Sequence, residues 1–148
     1  MIYCISLLVF ILDLVSKWIA TTFLSVHAPV VILPFFSLYL TYNSGVSFSM
    51  FSTHSELGIA LLIGVALAIC LSIVYMIRHE KDKLVRIALA MILGGALGNV
   101  LDRLRYGAVV DFLDFHWQRY HFPAFNLADS AICIGAALIL LQILRRKK

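Results

Sequence analysis

"FNLADSAICIGAALILLQILRRKK", residues 125–148, is the stretch from which the fold is read. From Ser130 to Leu144 its only polar side chains are Ser130, Cys133 and Gln142, and Arg145, Arg146, Lys147 and Lys148 end the apolar run. That is the composition of a membrane-crossing helix with a basic end in the headgroup layer. Asn126 and Asp129 stand at its other end. A carboxylate at the centre of a bilayer helix costs about 2.5–3.5 kcal/mol on insertion scales, so such an acid marks a functional or paired position. What Asp129 faces is therefore the first question for the rest of the chain.

Outward from that helix, hydrophobic residues make up 62% of the 148 positions and charged residues 14%, against about 25% charged in an average soluble domain. An integral membrane protein follows. The bunched charges leave four long apolar stretches: residues 1 to about 26, 57–77, 84–101 and 127–144. At about 1.5 Å per residue and about 20 residues per crossing, each can span a bilayer, the last two with help from their flanks. Four spans consume most of the chain, so residues 1–148 are expected to form a single domain. Arg78, Lys81, Lys83 and Arg86 follow the second span and four more cations close the chain, whereas the opposite side holds Arg103, Arg105 and Arg119. That bias predicts cytoplasmic termini. The formal charge of +4 suits anionic headgroups, and no basic patch interleaved with aromatics points to nucleic acid. The first span does not read as a cleavable signal peptide, because Asp13 and Lys17 interrupt its apolar core. Cys4, Cys70 and Cys133 all lie within spans, in no metal or disulfide spacing, and read as buried small hydrophobes.

Between the first two spans, "FFSLYLTYN" alternates Phe36, Leu38, Leu40 and Tyr42 with Ser37, Tyr39, Thr41 and Asn43. Period two predicts a strand and a small half-buried sheet. "NSGVSFSMF" follows, apolar enough to lie in the membrane interface, with Gly45 permitting a turn. The expected architecture is therefore an all-α integral membrane protein: four transmembrane helices, a small extracytoplasmic β-sheet and an interfacial segment. In "GGALGNVLDR", Gly94 and Gly98 share a helix face and allow close helix approach. Asn99 and Asp102 follow, and Asp102 is expected to pair locally with Arg103 or Arg105. Counted from the cytoplasmic side, Asn99 and Asp129 both lie about 22 Å across. Asp13 and Lys17 are one turn apart on the first span, and "YGAVVDFLDF" reads as an outer loop that holds Asp111 against the membrane. Several elements thus deliver polar groups to one outer layer.

Two carboxyl groups in a low-dielectric pocket cannot both ionise, so one keeps a proton while the other stays a base. With water and a peptide carbonyl this is aspartic protease chemistry, and Asp111 and Asp129 are the natural pair. Pattern alone also allows a proton relay, and a proton-coupled carrier using the same acids is the alternative. Gly45, Val46 and Ser47 have a Gly-x-Ser form, but none of the five histidines lies within a span to activate a serine. Asp111, Asp114, His116 and His121 could be drawn as metal ligands. HExxH is absent, and the histidines sit among Trp117, Tyr120 and Phe122, which reads as an aromatic belt anchoring the interface. Matched halves or broken helices of a transporter are not found.

"DLVSK" at residues 13–17, "NSGVSF" at 43–48, "GNVLDR" at 98–103, "VVDF" at 109–112 and "FNLADSAI" at 125–132 resemble, in order, the motifs of the bacterial lipoprotein signal peptidases. The resemblance covers nearly the whole chain. It implies a monomeric, cofactor-free and metal-free aspartic endopeptidase of the bacterial inner membrane, multi-pass, with its site near the outer leaflet. Its partners would be membrane lipids and prolipoproteins, cleaved immediately before a cysteine that carries diacylglycerol. By carry-over, Asp111 and Asp129 would be catalytic. Asn43, Gly45, Asn99, Arg103 and Asn126 would bind substrate or support the acids, and Asp13, Lys17 and Asp102 would be structural. Val46 and Ser47 depart from the alanine or tryptophan often found at those positions, which bears on the substrate-facing surface.

Overall fold

The computed structural model describes residues 2–26, 28–45 and 55–146. Four helices, α1 (Ile2–Phe23), α2 (Glu56–His79), α3 (Lys83–Tyr106) and α4 (Leu127–Arg146), are each long and apolar enough to cross a membrane. Large side chains such as Leu7, Trp18, Leu61, Leu71 and Leu141 point outward from them, as lipid-facing surfaces require. Cys70 is buried, whereas Cys4 and Cys133 lie on exposed helix faces, so the expectation of burial holds for Cys70 alone.

Helix α3 is the hub and touches the other three helices. Small residues make this possible. A Cβ at Gly94 would strike the Ser6 carbonyl on α1, one at Gly98 the Asp13 carboxylate, one at Gly95 the Ala128 carbonyl on α4, and one at Gly135 of α4 the Ala88 carbonyl. Backbones therefore approach as they do wherever small residues line a membrane helix interface. Asp82 caps the start of α3 by accepting the Leu84 and Val85 N–H groups at 2.8 and 3.1 Å. Gly107, at φ 68°, ends it in the left-handed conformation that a residue with a Cβ adopts only at a cost.

That turn delivers the chain into a sheet. Strands β1 (Val30–Leu33), β2 (Phe36–Asn43), β3 (Val109–Trp117) and β4 (Tyr120–His121) lie side by side in that order, all antiparallel. The expected strand after Pro34 is β2. The expected outer loop around Asp111 is instead β3, a central strand of the sheet. Val109, Val110, Asp111 and Phe112 are all buried, so the stretch lacks the alternation that marks a half-buried strand. The register shifts between Leu38 and Thr41 and then sets Thr41 opposite Asp111 and Asn43 opposite Val109. Most of the expected interfacial segment, residues 46–51 of 43–51, lies outside the described residues.

Candidate active site

A buried cation comes first, because it orients what surrounds it. Lys17 Nζ lies 2.8 Å from Asp13 Oδ2, 2.8 Å from Asp102 Oδ2 and 2.9 Å from Asn99 Oδ1. An ammonium has three donors, and three oxygens surround this one. The expected local pairing of Asp102 with Arg103 or Arg105 is therefore corrected. Asp102 faces α1 and is buried, Arg105 is exposed, and Arg103 turns to the Asn99 carbonyl at 3.3 Å and the Gly45 carbonyl at 2.7 Å. The free lone pairs of the two acids tie in neighbouring elements: Asp13 Oδ1 accepts the Ala128 N–H at 2.9 Å, and Asp102 Oδ2 accepts the Val110 N–H at 3.1 Å. One ionic cluster thus fixes the start of α4 and the start of β3.

Lys17 also decides which way Asn99 points. With Oδ1 turned to the ammonium, the Asn99 amide must present its NH₂ elsewhere, and Nδ2 donates to Asp129 Oδ1 at 2.8 Å. Asp129 is placed by the helix start as well. Asn126 precedes α4, its Oδ1 accepts the Asp129 N–H at 2.9 Å, and its own N–H reaches Asp129 Oδ2 at 3.4 Å. This is a reciprocal capping box, built from asparagine and aspartate.

The same Asn126 side chain, fully buried, donates Nδ2 to Asp111 Oδ1 at 2.7 Å. One residue therefore bridges the two carboxylates. The second oxygen of Asp111 receives Asn43 Nδ2 at 3.2 Å, and Asn43 Oδ1 accepts the Gly45 N–H at 3.0 Å. Arg103, by gripping the Gly45 carbonyl, clamps that turn from α3. Asp13, Lys17, Asn43, Gly45, Asn99, Asp102, Arg103, Asp111, Asn126 and Asp129 thus form one connected network.

The two acids differ in environment. Asp111 is 2% exposed. Burial, and next the nearby Asp129 charge, push its pKa up to about 7 despite the amide hydrogen bonds from Asn43 and Asn126. Asp129 is half-buried and opens to two mostly apolar cavities of about 300 and 330 Å³, both also lined by Asn43 and Cys133. Phe122 and Phe125 wall the first; Ala66 and Ile69 of α2, with Ile92 and Ala96 of α3, wall the second. The sequence reading placed Phe122 in an aromatic belt and singled out none of the walls on α2 and α3, because an apolar residue facing a cavity and one facing lipid look alike in a hydrophobic span. The arrangement suits proton transfer between two coupled acids, one of which, Asp129, opens to two apolar cavities.

The family model described as signal peptidase (SPase) II matches residues 5–145. The chain belongs to the signal peptidase II family. Among its relatives, the lipoprotein signal peptidase of Polynucleobacter necessarius subsp. necessarius (strain STIR1) is 48% identical over 143 residues, covering 96% of this chain and 88% of the relative. The lipoprotein signal peptidase of Burkholderia vietnamiensis (strain G4 / LMG 22486) is 48% identical over 147 residues, covering 96% and 86%. A bacterial membrane enzyme solved by the in meso method at 2.3 Å superposes with a TM-score of 0.86 at 30% identity, covering 98% of this chain and 88% of its own. As a signal peptidase II family member, the chain is a membrane-spanning protease that processes signal peptides.

Proposed function

We propose that Asp111 and Asp129 are the catalytic pair of an aspartic endopeptidase that removes the signal peptide from diacylglyceryl-modified prolipoproteins immediately before the lipidated cysteine. Family membership supports the prolipoprotein substrate. The observation that carries the two-acid mechanism is Asn126, which holds both carboxylates at once. Asp111, the more deeply buried acid, starts protonated, and Asp129, open to the cavities, starts as the base. Asp129 takes a proton from water as the water oxygen bonds to the scissile carbonyl carbon, while Asp111 gives its proton to the carbonyl oxygen. Asp129 then passes its proton to the amide nitrogen, the C–N bond breaks, and Asp111 recovers a proton from the diol. Asn99, Asn126 and Asn43 keep both carboxylates aimed through the cycle, and Arg103 holds the Gly45 turn beside them.

The substrate's lipid suits the apolar cavities beside Asp129, since each buried acyl CH₂ is worth about 0.8 kcal/mol. The distribution of lysine and arginine supports cytoplasmic termini in the bacterial inner membrane and a site near the outer leaflet. In this reading the enzyme is a monomeric, single-domain peptidase, with both acids and the residues that position them carried by one chain. The test is cleavage by protein purified in detergent, with no gradient, of lipidated and unlipidated precursor peptides read by mass spectrometry. A product beginning at the lipidated cysteine, formed faster than any product of the unlipidated peptide, is expected. Equal cleavage of both, or cleavage elsewhere, contradicts the proposal.

A further inference from the structure

At the far end of β3 lies a second cluster of ionisable groups that the network around Asp111 does not use. Asp114 and His116 are two apart on β3 and so share a face of the strand, and His121 on β4 is the direct cross-strand partner of His116. The two imidazoles stack with centroids 4.9 Å apart. Both turn Nδ1 toward one carboxylate: His121 Nδ1 lies 3.0 Å from Asp114 Oδ1 and His116 Nδ1 lies 3.4 Å from Asp114 Oδ2. One ligand atom from each residue falls within 4.8 Å of the other two.

We propose that Asp114, His116 and His121 bind a divalent first-row transition ion of the Zn²⁺ class, which staples the β3–β4 hairpin. Four observations lead there. First, the donor set is two imidazole nitrogens and one carboxylate oxygen, which suits zinc and its neighbours rather than oxygen-seeking Mg²⁺ or Ca²⁺. Second, tetrahedral ligands about 2.0–2.2 Å from zinc stand about 3.4 Å from one another, so the spacings found need only small side-chain rotations. Third, His116 Nδ1 is shut off from solvent and makes no hydrogen bond among the described residues, its approach to Asp114 lacking the geometry for one. A buried polar atom without a partner is costly, and a metal bond would satisfy it. Fourth, the Asp114 side chain is only 7% exposed, and its ion-pair partners among the described residues are these two imidazoles, so a cation bound there would meet a buried carboxylate and two ring nitrogens together.

The site is reachable. The His121 side chain is 56% exposed, and a cavity of about 470 Å³ lined by Asp114, His121, Pro29 and Ala124 adjoins it, leaving a fourth ligand position for water. The hairpin also has need of a staple. Strand β4 has two residues and two pairs, and its turn holds Gln118 at φ 54°, a conformation disfavoured for a residue with a Cβ. The chain runs from β4 directly into Phe122 and Phe125, which wall one cavity beside Asp129. A metal at the hairpin would therefore hold the base of that wall. It takes no part in the chemistry at the acids.

The experiment uses full-length, tag-free protein in detergent, stripped with a chelator and titrated with Zn²⁺ by calorimetry and with Co²⁺ by visible absorption. One ion per chain is expected, with cobalt bands of a tetrahedral nitrogen and oxygen site and a higher Tm in Zn²⁺ but not in Mg²⁺. His121→Gln, an exposed substitution whose metal-free Tm should match that of the wild type, should weaken binding by more than the roughly tenfold cost of losing even an outer partner of a metal site. Should Zn²⁺ fail to bind, or bind alike to the wild type and to the His116→Gln/His121→Gln double variant, the proposal is wrong.

Discussion

Two pairs of aspartates lie within one network, and they are dressed in opposite ways. Asp13 and Asp102 share a cation, Lys17, at 2.8 Å from each. Asp111 and Asp129 share a residue, Asn126, whose side-chain NH₂ donates to the first and whose backbone N–H donates to the second, and they receive further amides from Asn43 and Asn99. A cation between two carboxylates offsets their repulsion and makes the cluster a rigid joint. An amide positions carboxylates without supplying a charge, so the acids continue to feel one another and one is driven to keep a proton. Direct contact with a cation thus separates a pair suited to structure from a pair suited to proton transfer, which feels the Lys17 and Arg103 charges without an ion pair among the described residues.

Removing that charge should have the largest effect. Lys17→Met leaves Asp13 and Asp102 buried without their cation, and breaking a buried pair in this way typically costs about 3–5 kcal/mol. Thermal unfolding in detergent should show the loss, with turnover falling too because Asn99 loses the contact that fixes its amide. A Lys17→Met protein as stable as wild type would remove the distinction between the two pairs. By contrast, Asp111→Asn and Asp129→Asn keep shape and hydrogen bonding while deleting a proton carrier. Each should remain folded and lose about 100-fold or more in cleavage rate.

A pH dependence comes next in size. The Asp111 pKa is raised from 3.8 to about 7 in the folded protein, so the folded state holds the proton more tightly than the unfolded state. Its contribution to stability is therefore fully present at acid pH and is lost as pH rises from about 4 to about 7. Where Asp111 must be protonated to act, kcat/KM should fall above about pH 7. A pH scan of wild-type unfolding should show the slope, and Asp111→Asn should flatten it. The smallest effect belongs to Asp114→Asn. Assayed with a chelator present, it should turn over close to the wild type, since Asp114 bonds to His121 and not to either acid of the pair.

The four spans were legible because a bilayer demands long apolar segments, and Gly94 with Gly98 already marked a close helix contact. The small sheet was legible only where one face of a strand is wet. Strand β2 alternates, whereas β3 is buried along Val109 to Phe112 and reads like any apolar run. The reach of Lys17 across to Asp102 was illegible for a different reason: side-chain spacing reports neighbours on one helix, and these residues lie on two. Asn126 and Asp129 carried a signal that hydropathy obscured, since an asparagine with an acid three residues on, ahead of an apolar run, is a helix-start pattern. Read as that cap alone, Asp129 would need no partner. Asp129 does two things at once: it caps α4, and it faces Asn99 and two apolar cavities.

The most direct test of the account is a titration of the carboxyl groups in protein labelled with ¹³C at aspartate, followed by NMR in detergent. One carboxyl should titrate at about 7 in the wild type and vanish in Asp111→Asn. In Asp129→Asn it should move to lower pH, because the neighbouring negative charge is gone. A wild-type protein with no aspartate titrating near neutrality, or an Asp129→Asn variant that leaves the titration unmoved, would contradict the claim that these two acids share a site.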